Sequence, residues 1–288
     1  MTGGPGRSIS HAGPFLNLPF PLGNGAAYSV PSVNTPQATP APPNADNDTL
    51  SSIIAHLRGG TTKGDSPYAG NLTLSVGNVQ STDPTAEYLV IRVSSNLVGQ
   101  LSISNWKLES PVTALGAVIG PANPLPISGT GKNEASVTVG AGATIYVISG
   151  RSPEGESFRK NLCTGYFGNN QSFTPSLTRD CPRPSDELKK AAQAGFIPTD
   201  ACISYVNGLS SCQLVSVAFP QNIGSGCQSF ITTSLTYNGC VDAHKTNADF
   251  YKNEWYLYLD RDQELWKSSN EQIRLLDENG KVVASVSY

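Results

Sequence analysis

EQIRLLDENGKVVASVSY, residues Glu271 to Tyr288, is the stretch whose reading decides the fold. Asn279-Gly280 sits between two alternating runs. That dipeptide is the strongest short-range hairpin signal, because both residues tolerate the positive φ that a two-residue type I′ turn demands. Folding about it sets Glu278 opposite Lys281, Leu275 opposite Ala284, Ile273 opposite Val286, Arg274 opposite Ser285 and Gln272 opposite Ser287. One face is then apolar and the other largely polar, so turn chemistry and alternation agree on one register. A lone hairpin is marginal in water and needs further strands over its apolar face.

Those strands are legible upstream. From Tyr68 the apolar period is two: Leu72, Leu74 and Val76 alternate with polar residues, and Tyr88 to Val93 is apolar on both faces, as in a central strand. Leu101 and Ile103 alternate, and Trp106 and Leu108 resume out of phase, which places a bulge or tight turn near Ser104-Asn105. Ala135, Val137 and Val139 form the next strand, and Gly140-Ala141-Gly142 turns the chain into Ile145 to Ile148. With Trp255 to Leu259 and the closing hairpin the strands number eight, which predicts a β-sandwich. Trp106, Leu108, Ile273, Leu275 and Val286 are its expected core residues.

Between about 151 and 253 the alternation disappears. Helical spacing replaces it over Ser185 to Ala194, over Cys202, Ile203 and Val206 behind Thr199/Asp200, and over Cys227, Phe230, Ile231 and Leu235 behind Ser225. All six cysteines (Cys163, Cys181, Cys202, Cys212, Cys227 and Cys240) fall in this window. It reads as an insertion between the fifth and sixth strands, too poor in apolar residues to hold without cross-links. An even, clustered cysteine count in a Gly/Pro-rich β-type chain predicts three disulfides made outside the cytoplasm. Of the 15 possible pairings, the expectation is the sequence-neighbour set: Cys163 with Cys181, Cys202 with Cys212, Cys227 with Cys240.

Composition narrows the function. Charged residues are only 14% of 288, while Gly (28) and Pro (21) are plentiful, which favours short strands and turns. A net charge of −3, with no Lys/Arg-rich run, gives no electrostatic case for nucleic acid. No apolar stretch approaches the roughly 20 residues of a membrane span. The amino terminus MTGGPGRSIS is no signal peptide, and three prolines break the apolar patch from Pro14 to Leu22, so the export signal is expected upstream of this sequence. Residues 1–46 read as a Gly/Pro-rich linker. Over 47–64, Leu50, Ile53, Ile54 and Leu57 repeat at helical spacing behind Asp46–Asp48 and before Gly59-Gly60, as a short docking helix and connector.

Several segments resemble one family. Ile103-Ser-Asn-Trp-Lys-Leu108, Val139-Gly-Ala-Gly-Ala-Thr-Ile-Tyr-Val147 and Leu275-Leu-Asp-Glu-Asn-Gly-Lys-Val-Val283 are similar to the Trp strand, the Gly turn and the closing hairpin of lamin tail domains. More narrowly, Ser149-Gly-Arg-Ser-Pro153, Cys163-Thr-Gly-Tyr166, Phe173-Thr-Pro-Ser176, Leu235-Thr-Tyr-Asn-Gly-Cys240 and Asp249-Phe-Tyr-Lys-Asn-Glu-Trp255 resemble exported lamin-tail-domain proteins of uncultivated small-genome (candidate phyla) bacteria, which carry such a cysteine-bearing insertion. The resemblance covers about Ser66 to Tyr288. It implies an immunoglobulin-like sandwich without a catalytic centre, used for anchoring and protein contacts. The insertion departs from the animal nuclear lamin pattern.

The candidate chemistry is thin. Of His11, His56 and His244, only His244 lies where a Ser-His-Asp arrangement could use it, and no G-x-S-x-G elbow is present. Cys240-x₃-His244 with Cys227 could offer zinc ligands, but paired C-x₂-C knuckles are missing and disulfides suit the spacing better. Asp260, Asp262 and Glu264 form a calcium-loop fragment without the Gly at loop position 6 or the Glu at 12, which reads better as a solvated turn. Asn47, Asn71 and Asn170 begin N-x-S/T sequons at near-chance frequency. An exposed aromatic row over Tyr251, Trp255, Tyr256 and Tyr258 would mark polysaccharide binding, although Trp255 is in phase with Leu257 and reads as core. The expectation is therefore a non-catalytic extracytoplasmic module without cofactor or metal, contacting a protein or cell-envelope component. The alternatives are a hydrolase, or an envelope-polysaccharide-binding protein, with its site in or beside the insertion.

Overall fold

A computed structural model of the chain describes residues 66–126 and 133–288. The linker over 1–46, the docking helix over 47–64, His11, His56 and the Asn47 sequon lie outside the described residues. Eleven strands are present among those described, three more than expected. They are β1 (Leu72–Val76), β2 (Tyr88–Val93), β3 (Gln100–Ser102), β4 (Lys107–Glu109), β5 (Gly116–Val118), β6 (Thr138–Gly140), β7 (Thr144–Ile148), β8 (Phe158–Asn161), β9 (Tyr251–Tyr258), β10 (Gln272–Leu276) and β11 (Val282–Ser287). The first sheet has the order β1-β2-β7-β9-β8, the second β11-β10-β4-β5, and β3 pairs with β6; none closes into a barrel.

The closing hairpin forms with the expected pairs from Gln272↔Ser287 to Leu275↔Ala284. Its tip differs. Of the dipeptide only Gly280 has positive φ (+73°), and the loop is one residue longer than a type I′ turn. Asp277 imposes this: its carbonyl accepts the Gly280 N–H at 3.0 Å, and its carboxylate Oδ1 accepts those of Asn279 and Lys281, each at 2.9 Å. Asp277, not Glu278, therefore faces Lys281, and a bulge at Leu275/Leu276 restores the register further out. The hairpin then joins the earlier chain, with Leu275 opposite Leu108 on β4.

Near Ser104-Asn105 the chain leaves one sheet for another. Asn105 takes a positive φ of 69°, and β3 pairs with β6 while β4 pairs with β10 and β5. That tight turn is why Trp106 resumes out of phase. Trp106 is 1% exposed, its indole N–H donates to Glu278 Oε2 at 2.8 Å, and its ring lies 5.3 Å from that of Tyr68. Leu108, Ile273 and Leu275 are fully buried with it, alongside Leu89, Ile91, Ile145, Val147, Trp255 and Leu257 from the first sheet. Val286 is a correction: it packs half-buried at the margin of this core, not inside it.

The insertion contributes a strand of its own. β8 adds to the edge of the first sheet beside β9, and β9 runs parallel to β7. Parallel neighbours need a long crossover, and the segment between Ile148 and Tyr251 is that crossover. It carries a 3-10 helix (Thr164–Asn169), α1 (Pro184–Gln193), α2 (Asp200–Asn207), α3 (Ser225–Ser234) and α4 (Tyr237–His244). Thr199 caps α2 by accepting the Cys202 N–H, and Thr236 caps α4 by accepting that of Gly239. Phe158, Tyr256 and Ile148 on the sheet's other face pack against Tyr166, Phe167, Phe173, Tyr237, Val241 and Phe250 of the insertion. A separate cluster of Leu188, Val206, Ile223, Phe230, Ile231 and Leu235 joins α1, α2 and α3.

All six cysteines are in disulfides, but the neighbour pairing is wrong. The bonds are Cys163–Cys240, Cys181–Cys212 and Cys202–Cys227, spanning 77, 31 and 25 residues. Helix faces choose one of these pairs. Cys202 shares the buried face of α2 with Val206, and Cys227 shares that of α3 with Phe230 and Ile231, so these two sulfurs meet inside one cluster. The other four cysteines lie together in the cluster against the sheet. Among the described residues no helix is long and apolar enough to cross a membrane.

Candidate binding site

The buried carboxylates hold backbone. Glu87, fully buried, accepts the N–H groups of Leu265 (2.7 Å) and Trp266 (3.0 Å), and burial raises its pKa above the ordinary value. Ser149 Oγ faces that carboxylate and favours its charge, although the contact falls short of hydrogen-bond geometry. Glu271 accepts from Ser110 Oγ (2.7 Å) and from the N–H groups of Gln272 and Lys267. Burial opposes the charge on Asp277. The hydrogen bonds from Lys281, Ser66 and Asn279 outweigh it, so this carboxyl titrates below the ordinary aspartate value. Each of these acids fixes a loop to a strand end.

His244 is 3% exposed at the contact of α4 with α1. Its Nε2 lies 3.1 Å from Glu187 Oε2, within ion-pair distance but outside hydrogen-bond geometry, and Nδ1 is 3.1 Å from Asn247 Nδ2. Glu187 also pairs with Lys190, and its charge adds to burial in pushing the Tyr166 phenol up to about 12. This is a packed helix contact. The zinc alternative loses its sulfurs, because Cys240 and Cys227 are both in disulfides. The Asp260–Glu264 carboxylates diverge: Asp262 pairs with Arg151 at 2.9 Å, while Glu264 lines a different cleft.

The candidate aromatics along β9 do not form an exposed row. Trp255 is 4% and Tyr256 2% exposed, Tyr258 is half-buried, and Tyr251, beneath the Arg159 guanidinium at 4.9 Å, is exposed. The aromatics run across the strands instead. Tyr88 meets Tyr146 edge-on at 6.2 Å, Tyr146 meets Tyr256 at 5.0 Å, and Tyr256 stacks on Phe158 at 5.4 Å. Beside this row the buried Lys160 ammonium reaches Glu254 at 2.9 Å and Asp180 at 3.6 Å.

Clefts indent the described surface, and three bear on a binding role. One of about 380 Å³ lies between the loop at 79–82, Thr113/Leu115 and residues 264–268, and one of about 310 Å³ lies between the 3-10 helix and the 171–179 loop. The third, of about 270 Å³, opens where the insertion leaves the first sheet, beside the far end of β9. Thr85 comes from the loop before β2, Arg151, Ser152 and Pro153 from the exit of β7, Ser172 and Thr174 from the loop after the 3-10 helix, and Tyr258 from the end of β9. The Tyr258 hydroxyl is shielded from solvent and has no hydrogen-bond partner among the described residues. Burial, then the Glu154 charge, hold this phenol well above its ordinary range, so it remains a donor. Three carboxylates stand just behind the wall. Asp83 accepts from Thr85 Oγ1 at 2.7 Å, Asp262 holds Arg151, and the Glu154 charge acts on the Tyr258 phenol.

Of the sequence candidates only Tyr258 lines this cavity. Arg151, Ser152 and Pro153 lie in one of the segments quoted for the family resemblance and Thr174 in another, but nothing local in the sequence brings them together. No family model, curated protein or solved structure matches the chain.

Proposed function

We propose that this protein is a non-catalytic, extracytoplasmic binding module: an immunoglobulin-like sandwich of lamin-tail type whose disulfide-held insertion contacts a protein or cell-envelope component. Three buried disulfides support the compartment, since such bonds persist where thiols are oxidised. Two sheets sharing one aliphatic core support the sandwich. One observation carries the binding role: the cavity where insertion and sheet meet is walled by hydroxyls, a protonated phenol and a guanidinium. Such groups orient a ligand, whereas general acid–base work needs a pair poised near the working pH. The test is a panel of chromogenic ester, glycoside and phosphate substrates with the oxidised protein, beside sedimentation with cell-envelope fragments. Co-sedimentation without turnover is expected, and turnover above the buffer rate would contradict the reading.

The cavity also favours envelope polysaccharide over protein as the ligand, because its wall is polar and concave rather than flat and apolar.

A further inference from the structure

Resting on that binding reading, we infer that the 270 Å³ cavity between the insertion and the first sheet takes a single neutral sugar ring of a glycan. Size is the first constraint. Cavities for drug-sized ligands span roughly 300–1,000 Å³, so this one suits a ligand of about one ring. Charge is the second. Among the described residues Arg151 is the only charged one in the wall, and it is already engaged by Asp262. An anion would find that one guanidinium already paired with the Asp262 carboxylate. A cation would meet hydroxyl and guanidinium donors and no carboxylate in the wall itself. A neutral ligand avoids both penalties.

Hydrogen-bond capacity is the third constraint. The Thr85, Ser152, Ser172 and Thr174 hydroxyls both donate and accept, which matches a polyol whose every hydroxyl does the same. Tyr258 and Pro153 supply the apolar surface that the C–H face of a pyranose needs. The Tyr258 hydroxyl carries the proposal furthest. Buried donors are almost always partnered, and a desolvated one without an acceptor is a standing cost to the free protein. The hydroxyl is closed off from solvent in the free protein, so a shift of the half-buried Tyr258 side chain must accompany binding for a sugar oxygen at the cavity wall to supply that acceptor.

Saturation-transfer NMR on the full, oxidised chain tests this, with glucose, galactose and N-acetylglucosamine as probes and inorganic phosphate as the anionic comparator. At least one neutral sugar should receive transfer and phosphate none. Tyr258→Phe keeps the ring and removes the orphan hydroxyl. It should weaken sugar binding about 5- to 10-fold while leaving the thermal midpoint of the free protein unchanged or raised. Arg151→Ala, which breaks only a solvent-exposed ion pair, should also weaken binding without loss of fold. Transfer to no sugar, preference for phosphate, or binding indifferent to both variants would overturn the inference and leave the module reading standing. Cleavage of a bound glycan would instead overturn the non-catalytic reading and leave sugar recognition intact.

Discussion

Two regions of this chain become compact by different means. The sheet core is built from alternating aliphatic residues, holds Trp106, Leu108, Ile273 and Leu275 essentially out of water, and contains no cysteine. The crossover from Cys163 to His244 divides its apolar residues between two smaller clusters, and each is threaded by disulfides. Small clusters of that kind fall short of offsetting chain entropy alone, so cross-links that restrict the unfolded chain take over. Period-2 patterning and cysteine placement are thus complementary, each dense where the other is absent.

The largest expected effect strikes the sheet side. Trp106→Ala removes a buried aromatic and its hydrogen bond to Glu278, so urea melts should show a loss of about 3–5 kcal/mol in the unfolding of the sheets. A melt unchanged from the parent would place the load elsewhere. On the other side, replacing Cys163 and Cys240 together with alanine opens the 77-residue link. The chain-entropy relation sets this at about 4.5 kcal/mol as an upper bound, against about 3.5 for the Cys202–Cys227 link. Ranking the three double mutants by melting should reproduce the order of loop lengths, and the loss should appear in the insertion first.

Packing inside the insertion offers a smaller perturbation. A Cβ on Gly165 would press against Cys212 Sγ and approach the Thr178 carbonyl to 2.7 Å. Gly165→Ala should therefore cost about 1–3 kcal/mol, read as earlier unfolding of the insertion while the sheets melt as before.

The smallest effect is pH-dependent and returns to the hairpin. Asp277 titrates below its ordinary 3.8, so its contribution is complete above that value and is lost as pH falls through the lower folded pKa. Asp277→Asn should cost about 1 kcal/mol at pH 7, and the difference from the parent should shrink under acid. A gap that persists unchanged into acid would remove the carboxylate charge from the account.

The contrast also explains what could be read in advance. The hairpin register was legible because Leu275, Ile273 and their partners alternate strictly; its tip was not, because the Asp277 carboxylate competes with the Asn-Gly turn for the same N–H groups. β8 (Phe-Arg-Lys-Asn) was invisible because Lys160 and Asn161 are buried only by virtue of Glu254, Asp180 and Tyr237, all distant in sequence. α4 did carry a signal: Thr236 caps it, and Tyr237, Cys240, Val241 and His244 follow the 3,4,7 spacing of a buried helix face. The Cys202–Cys227 pair was set by which helix faces meet and the other two by how the insertion packs on the sheet, which no sequence interval encodes. The cavity draws residues from positions 85 to 258, so its assembly belongs wholly to the fold.

Hydrogen exchange before and after reduction tests the central contrast most directly. With the disulfides reduced under native conditions, amides of α1 to α4 and the 3-10 helix should lose protection, while those of β2, β7 and β10 remain protected. Loss of protection in those three strands to the same extent as in the helices, or unchanged protection in the helices, would contradict a sheet core that stands without the cross-links and an insertion that depends on them.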